Sequence, residues 1–146
     1  MKPERKKTRD TRRSVVILDD EEAYVEMMAQ MMATHLDCSV HAFTRPREAL
    51  GSLSRVSVGV VVTDYSMPEM DGVEFIRKAS RIAPEAAFIM ISGNDLDPIG
   101  HELARLKRLK MRLNKPCGWR RVVAAVLKVW PGDDTPGFRP HAAGHT

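Results

Sequence analysis

The sequence VGVVVTDYSMPEMDG, residues 58–72, is the segment of this chain that indicates its fold most clearly. Its first six residues are apolar or β-branched except for one glycine, which predicts a buried strand over residues 58–63. The strand runs directly into Asp64 and a loop over residues 65–71. A helix then extends from Gly72 to about Ala83, where Pro84 stops it. An acidic side chain therefore lies at the carboxyl end of a buried strand, directly before a loop.

The alternation of a short apolar strand with an amphipathic helix extends along the chain on both sides of this segment. Five strands are predicted over residues 15–18, 38–43, 58–63, 87–91 and 111–114. Four helices are predicted over residues 21–36, 72–83, 98–110 and 119–130. A fifth, short helix is predicted after Thr44, which would be its N-cap. No glycine separates the fourth helix from the fifth strand. Such an alternation predicts an α/β fold, in which right-handed βαβ units build a parallel sheet covered on both faces.

Length and composition indicate one folded domain. The chain has 146 residues, of which 43% are hydrophobic and 29% charged, as in an ordinary globular protein. We expect the domain to span residues 14–130. A basic disordered segment over residues 1–13 precedes it, and a disordered segment over 131–146, rich in Pro, Gly and His, follows it. Because no apolar run is long enough for a membrane span or a signal peptide, we expect a cytoplasmic protein.

The net charge of +4 arises from the N-terminal segment. Residues 1–13 contain seven basic and two acidic side chains, a net charge of +5, whereas the remaining 133 residues carry a net charge of −1. The basic character of the whole chain is therefore weak evidence for nucleic-acid binding. The two cysteines, Cys38 and Cys117, lie far apart without metal-binding spacing, which argues against a zinc site and for reduced thiols.

Five polar side chains are predicted to meet at the carboxyl ends of the strands. Asp19 and Asp20 follow the first strand, Asp64 the third, Ser92 the fourth and Lys115 the fifth. Taken alone, each has an ordinary explanation, such as a helix cap, a turn or a surface lysine. Together, three carboxylates repel each other and require a cation, and oxygen ligands of this kind are what Mg²⁺ takes. An acceptor carboxylate, a hard metal, a lysine and a hydroxyl fit phosphoryl transfer.

Four segments resemble the receiver domains of bacterial two-component response regulators. Residues 60–72, VVVTDYSMPEMDG, are similar to the phosphoacceptor segment of that family. ILDDE at 17–21 is similar to its acidic pair, IMISG at 89–93 to its switch hydroxyl, and Lys115-Pro116 to its lysine before a cis proline. The segments follow the family's order, and the resemblance covers about residues 14–130. It implies a flavodoxin-like (βα)5 doubly wound fold, with five parallel strands in the order 2-1-3-4-5.

The resemblance also implies a role for each site residue. Asp64 would be the nucleophile and phosphoryl acceptor, while Lys115 and Ser92 would bind the phosphoryl oxygens. Asp20 and Asp64 would ligate Mg²⁺ directly and Asp19 through water. The backbone carbonyl of Ser66 would complete the ligands from the protein.

At the level of function, the resemblance implies a stand-alone, single-domain regulator of the chemotaxis type. Its phosphoryl group would come from a sensor histidine kinase or a histidine phosphotransfer protein. Its output would be a protein–protein contact made by the fourth helix, fifth strand and fifth helix. It would not be an enzyme, beyond its own phosphorylation from a phosphodonor and slow autodephosphorylation. We expect neither a membrane nor a nucleic acid as a partner.

Three residues depart from the family's pattern. Arg112 stands three residues before the lysine, where the family usually has an aromatic residue. Cys117 stands where an apolar or aromatic residue usually follows the Lys-Pro pair, and Ser92 replaces the more frequent threonine. Because a guanidinium resists burial without a partner, we expect Arg112 to stay at the surface. It would belong to a basic patch with Arg105, Lys107, Arg108, Lys110, Arg120 and Arg121.

Two other classes of protein remain as alternatives. A degenerate receiver would keep the fold and act as a protein-binding module without phosphorylation, but all five site residues are present. A nucleic-acid-binding protein would use the basic residues 1–13, although a run of charge is usually just solvated. A flavin-binding protein of this topology is rejected, because the first strand is followed by acidic residues and not by a phosphate-binding loop.

Overall fold

The computed structural model describes residues 13–140. The N-terminal segment predicted as basic and disordered, except Arg13, lies outside these residues, as do residues 141–146. The five strands are β1 (Ser14–Leu18), β2 (Val40–Phe43), β3 (Val58–Asp64), β4 (Ala87–Ser92) and β5 (Leu109–Asn114). The five α-helices are α1 (Glu22–His35), α2 (Pro46–Leu53), α3 (Gly72–Ile82), α4 (Gly100–Ala104) and α5 (Trp119–Val129). A 3-10 turn, Asp97–Ile99, leads into α4. None of the helices in the described part is long and apolar enough to cross a membrane.

The five strands form one parallel sheet in the order β2-β1-β3-β4-β5. This order and the α/β class confirm the flavodoxin-like fold that the resemblance implies. The register of the central strands aligns their carboxyl ends, pairing Leu18 with Thr63, Asp64 with Ile91 and Ser92 with Asn114. Residues that follow different strands are therefore brought to the same edge of the sheet.

Alternate residues of each central strand pack into two separate cores. Ile17 and Val62 face one side of the sheet, where α1 and α5 cover them with residues such as Met28 and Val126. Their neighbours in the chain face the other side, which α2, α3 and α4 cover. Because β1, β3 and β4 are buried on both faces, nearly continuous apolar runs are needed in these strands, and the sequence has them.

The fourth helix is much shorter than predicted. The sequence predicts a helix over residues 98–110, whereas α4 ends at Ala104 and β5 begins at Leu109. The side chain of Arg108 is held by the carbonyls of Ala86 and Glu85 at 2.9 and 2.8 Å, and its own carbonyl accepts the N–H of Phe88. Pairing with β4 therefore replaces the last turns of the predicted helix. The expected cap at Thr44 is also wrong, because α2 begins after Arg45 and has no side-chain cap.

Residues 131–140, here called the C-terminal strap, differ from the expected disordered segment. At its start, Asp134 accepts hydrogen bonds from the indole of Trp130 and the guanidinium of Arg13. Further along, Phe138 forms a β-bridge with Leu36. The Arg139 guanidinium donates to the carbonyls of Ala33, Thr34 and Leu36 at 3.1–3.3 Å. The strap thereby supplies partners to the last carbonyls of α1, which no residue within that helix can reach.

Candidate functional site

Two neighbouring strands place two buried carboxylates side by side. Asp19 follows β1 and Asp64 ends β3, and the paired residues before them are in register. Asp19 is 2% exposed and Asp64 6% exposed, whereas Asp20 lies at the surface. One oxygen of Asp19 accepts the N–H of Glu21 at 2.9 Å, which fixes this carboxylate at the beginning of α1. Carboxylate oxygens of Asp19, Asp20 and Asp64 lie within 4.8 Å of one another.

The ammonium of Lys115 joins two of these carboxylates. Its Nζ lies 2.9 Å from Oδ2 of Asp19 and 3.4 Å from Oδ2 of Asp64. The backbone N–H of Lys115 donates to the Ser92 carbonyl at 2.9 Å, and the following peptide bond to Pro116 is cis, as expected from the resemblance. The structure thus brings four of the five predicted side chains, from β1, β3 and β5, into one cluster.

Tyr24 belongs to the site, although sequence reasoning did not single it out. Its ring lies 5.3 Å from Nζ of Lys115, and its hydroxyl donates to the carbonyl of Cys117 at 3.1 Å. The ring therefore supports the lysine while the hydroxyl holds the loop after β5 against α1. No motif or spacing marks Tyr24 in the sequence, since its partners are more than 90 residues away.

The charged side chains of the site shift each other's pKa values. Burial and, to a smaller extent, the charge of Asp19 raise the pKa of Asp64 to about 6, although Lys115 opposes both effects. Burial lowers the pKa of Lys115, but its hydrogen bond to Asp19 and the charge of Asp64 outweigh that effect and raise the pKa. Burial and the neighbouring Cys117 raise the pKa of Tyr24 to about 12. One ammonium therefore leaves the three carboxylates incompletely balanced.

The loop after Asp64 ends close to the point where it leaves β3. The N–H of Gly72 donates to the Tyr65 carbonyl at 2.7 Å, and Asp71 caps α3 by accepting the N–H of Glu74 at 2.9 Å. A Cβ at position 72 would lie 2.7 Å from the backbone oxygen of Asp64. Glycine is therefore required here for close approach of α3 to the site.

The remaining predicted residues lie around the cluster without joining it. Ser92 is 2% exposed at the end of β4, and its hydroxyl accepts the N–H of Asn94 at 2.9 Å. Ser66 is an exposed residue of the loop after Asp64. Arg112 is exposed on β5, as expected for a guanidinium, and Cys117 is buried beyond the cis peptide bond.

The donor set fits a divalent cation of the Mg²⁺ class. Within the described residues 13–140, three carboxylates converge on one sheet edge and one ammonium, that of Lys115, faces them, so a further positive charge would relieve their repulsion. All the donors are oxygens, which magnesium and calcium prefer. No sulfur or imidazole ligand of the kind that zinc sites commonly use joins this cluster in the part of the chain that the structure describes.

Comparison with other proteins connects this site to a family. The family model described as "Response regulator receiver domain" matches residues 15–127. The chemotaxis protein CheY of Thermotoga maritima is 29% identical over 119 residues, which cover 78% of this chain and 95% of that protein. The "Uncharacterized transcriptional regulatory protein YesN" of Bacillus subtilis is 27% identical over 79% of this chain and 32% of its own length. The C4-dicarboxylate transport transcriptional regulatory protein DctD of Rhizobium meliloti is matched over 17% of its length. The chain therefore spans less than a third of the length of YesN and of DctD.

Solved structures show the same fold. An uncharacterized protein from Neptuniibacter caesariensis is 29% identical, with a TM-score of 0.72 over 80% of this chain and 86% of that one. A CheY-like receiver domain protein from Methanospirillum hungatei is 18% identical, with a TM-score of 0.68 over 80% of this chain and 91% of that one. Proteins of the matched family are signalling phosphoacceptors and generally bind Mg²⁺ at an acidic pocket. The chain belongs to the response regulator receiver domain family.

Proposed function

We propose that this chain accepts a phosphoryl group on Asp64 from a histidine kinase or a histidine phosphotransfer protein. The observation that supports this most strongly is the position of Lys115, whose Nζ contacts both Asp19 and Asp64 within a cluster of three carboxylates. Phosphoryl transfer needs positioned charge more than covalent chemistry from the protein, and this cluster supplies positioned charge. The same proposal assigns no catalysis to the chain beyond its own phosphorylation and slow loss of the phosphoryl group.

Each residue has a distinct part in the transfer. A carboxylate oxygen of Asp64 attacks phosphorus, the bond from phosphorus to the donor nitrogen breaks, and an acyl phosphate forms on Asp64. Lys115 binds a phosphoryl oxygen, which requires its ammonium to exchange part of its present contact with Asp64. Ser92 binds another phosphoryl oxygen after its hydroxyl turns away from Asn94.

Magnesium is the cofactor in this proposal, and it would neutralise charge on the acceptor and on the transferred phosphoryl group. Asp20, Asp64 and the backbone carbonyl of Ser66 would ligate it directly, and Asp19 would act through water. The burial of Asp19 and its contact with Lys115 support the indirect role, whereas Asp20 is at the surface and available. Balancing the three carboxylates would also keep Asp64 ionised, as its attack on phosphorus requires.

The output of the phosphorylated domain is assigned to protein contacts through α4, β5 and α5. Lys110 and Arg112 are exposed on β5, an edge strand, and support docking of an acidic partner. Arg108 does not contribute, since backbone carbonyls hold its guanidinium. Association should be faster at low salt and slower in Arg112→Ala, with little change in the phosphorylation of Asp64. We assign the phosphorelay unit to residues 14–130 and place it in the cytoplasm, without a membrane or nucleic-acid partner.

The proposal is tested by incubating the protein with acetyl phosphate, with and without Mg²⁺, and measuring its intact mass. One phosphoryl group should be added only when Mg²⁺ is present. Asp64→Asn should abolish the addition, while Asp133→Asn, which changes an exposed carboxylate after α5, should not. Undiminished labelling of Asp64→Asn would refute the assignment. Complete absence of labelling in the wild-type protein would favour a degenerate receiver that binds proteins without phosphorylation.

A further inference from the structure

An apolar groove lies between α5 and the C-terminal strap. The α5 residues that line it belong to the part of the chain that matches the receiver family, whereas the strap lies beyond that part. Trp119, Val123 and Leu127 follow one another at intervals of four residues and form one wall of the groove. Phe138 and Pro140 of the strap form the opposite wall. The cavity has a volume of about 490 Å³. It is therefore large enough to receive several apolar side chains.

The walls of the groove are held in place by the contacts of the strap. The Arg139 N–H donates to the His35 carbonyl at 2.8 Å, and the Asp37 N–H donates to the Gly137 carbonyl at 2.9 Å. The His35 ring stacks on Trp119 with centroids 4.2 Å apart and on Phe138 at 6.0 Å. A groove with walls fixed in this way loses little conformational entropy when it is occupied.

The groove nevertheless leaves apolar surface in contact with water. Phe138 is 48% exposed, the highest value among the three exposed large hydrophobic residues in the described part of the chain. Ala124, on the floor between the two walls, is also exposed. Aromatic residues beside partly exposed aliphatic ones, here Trp119 and Phe138 beside Ala124 and Leu127, are a composition found at the centre of protein interfaces.

The charged residues at the groove are basic and favour an acidic occupant. Arg120 is the charged residue that lines it, and its guanidinium lies 4.6 Å above the Trp119 ring. The other charged residues of α5 are Arg121 and Lys128, so this helix carries no acidic side chain. A negatively charged partner is favoured along this helix, and a basic one is repelled.

We infer that the groove between α5 and the strap binds an acidic peptide segment of a partner protein, with large apolar side chains spaced to enter between Trp119 and Phe138. Trp and Arg residues in such a position carry much of the binding energy of an interface. The segment would lay its apolar face on Val123, Ala124 and Leu127, as amphipathic helices do in apolar grooves, and would present its carboxylates to Arg120. This surface does not depend on phosphorylation of Asp64.

The inference is tested with synthetic helical peptides that carry leucines at i and i+4 positions among glutamates. Amide chemical shifts of the full chain and isothermal titration would measure binding. The acidic peptides should bind saturably, shift the signals of α5 and the strap, and bind more weakly as salt rises. A matched peptide with lysine in place of glutamate should not bind, nor should an acidic peptide with alanine in place of leucine.

Two variants locate the binding on the protein. Ala124→Glu places bulk and negative charge on the exposed floor of the groove, and should weaken binding about tenfold or more. The matched Ala104→Glu changes an exposed alanine of α4 that lines a different cavity, and should leave binding unchanged. Both variants should accept a phosphoryl group as the wild type does. Phe138→Ala should weaken binding without altering the signals of Asp64 and its neighbours.

Several results would overturn the inference. Failure of all the acidic peptides to bind, equal binding of the lysine peptide, or equal affinity of the wild type and Ala124→Glu would each do so. Self-association that is abolished by Ala124→Glu would assign the groove to a second copy of the chain. Competition by a single-stranded oligonucleotide as effective as that of the acidic peptide would assign it to nucleic acid.

Discussion

Asp64 and Asp19 are buried carboxylates at the same sheet edge, but they differ in how closely other groups compensate their charge. Asp19 has Lys115 and the Glu21 N–H as close partners, so its charge is compensated within the protein. Asp64 is nearly as buried, but its contact with Lys115 is longer at 3.4 Å. Desolvation therefore raises the pKa of Asp64 to about 6. The residue proposed as nucleophile is thus the carboxylate that gains most from an added cation.

This difference predicts a pH dependence of stability in the metal-free protein. A carboxyl whose pKa is raised on folding destabilises the fold when ionised, and this cost is lost as the pH falls through about 6 toward the ordinary value of 3.8. Asp64→Asn should therefore increase the free energy of unfolding by about 1–3 kcal/mol at about pH 7.5. The gain should shrink at about pH 4.5. Urea denaturation of wild type, Asp64→Asn and the control Asp133→Asn at both pH values measures this. A gain that is the same at both pH values would contradict the account.

Substitution of the two acidic residues after β1, Asp19 and Asp20, should have different effects on Mg²⁺ binding and on stability. Asp20→Ala should weaken Mg²⁺ binding more than Asp19→Ala, because the exposed Asp20 is the direct ligand in the proposal. Asp19→Ala should instead lower the free energy of unfolding by about 1–3 kcal/mol, since it removes a partner of the half-buried Lys115. Titration with Mg²⁺ followed by intrinsic fluorescence, together with thermal unfolding, separates the two effects. Equal Mg²⁺ affinities in the two variants would show that the assignment of ligands is wrong.

At the scale of elements, packing between β3 and the end of α5 depends on one glycine. A Cβ at Gly59 would lie 2.5 Å from the Trp130 ring, which is 7% exposed. Gly59→Ala should therefore displace Trp130 and lower the free energy of unfolding by about 1–3 kcal/mol. Gly100→Ala is the matched control, because no atom lies within 4 Å of its added Cβ and its φ of −55° is helical. Thermal unfolding should show a loss for the first variant and none for the second. Equal melting temperatures for the two variants would contradict this packing.

Most of the strands and helices could be predicted from the sequence, but the extent of α4 could not. The sheet and the convergence of Asp19, Asp20, Asp64 and Lys115 could be predicted, because apolar runs end in acidic residues and the resemblance to a known family fixes their order. The extent of α4 could not, because Leu, Lys, Arg and Met favour helix over residues 103–111. Only the alternation of Leu109, Met111 and Leu113 indicates the strand. Pairing with β4 determines the outcome there.

Long-range contacts explain the two features that the sequence does not reveal. The strap is rich in residues typical of disordered segments, yet its anchors, Leu36 and Arg13, lie far from it in the sequence. Tyr24 likewise reaches a carbonyl 93 residues away. Neither contact produces a periodic pattern or a local motif. Such features become visible only when the helices are placed beside one another.

At the scale of the whole molecule, Arg13 connects the beginning of the described chain to the strap. Its guanidinium contacts Asp134 and the Pro131 carbonyl and lies 5.6 Å from the Trp130 ring. A chain that begins at Arg13 keeps these contacts, so we expect it to unfold at nearly the same temperature as the full chain. Adding Arg13→Ala to that shortened chain should lower its free energy of unfolding by about 1 kcal/mol. Equal stability of the two shortened chains would show that Arg13 does not hold the strap.

Mapping the phosphorylated residue distinguishes Asp64 from the neighbouring carboxylates Asp19 and Asp20. The protein would be treated with acetyl phosphate and Mg²⁺ and then reduced with borohydride, which converts an aspartyl phosphate to homoserine. Peptide mass spectrometry would then locate the new residue. We expect homoserine at position 64 and at no other aspartate, with none formed when Mg²⁺ is omitted. Homoserine at position 19 or 20, or equal conversion without Mg²⁺, would contradict it.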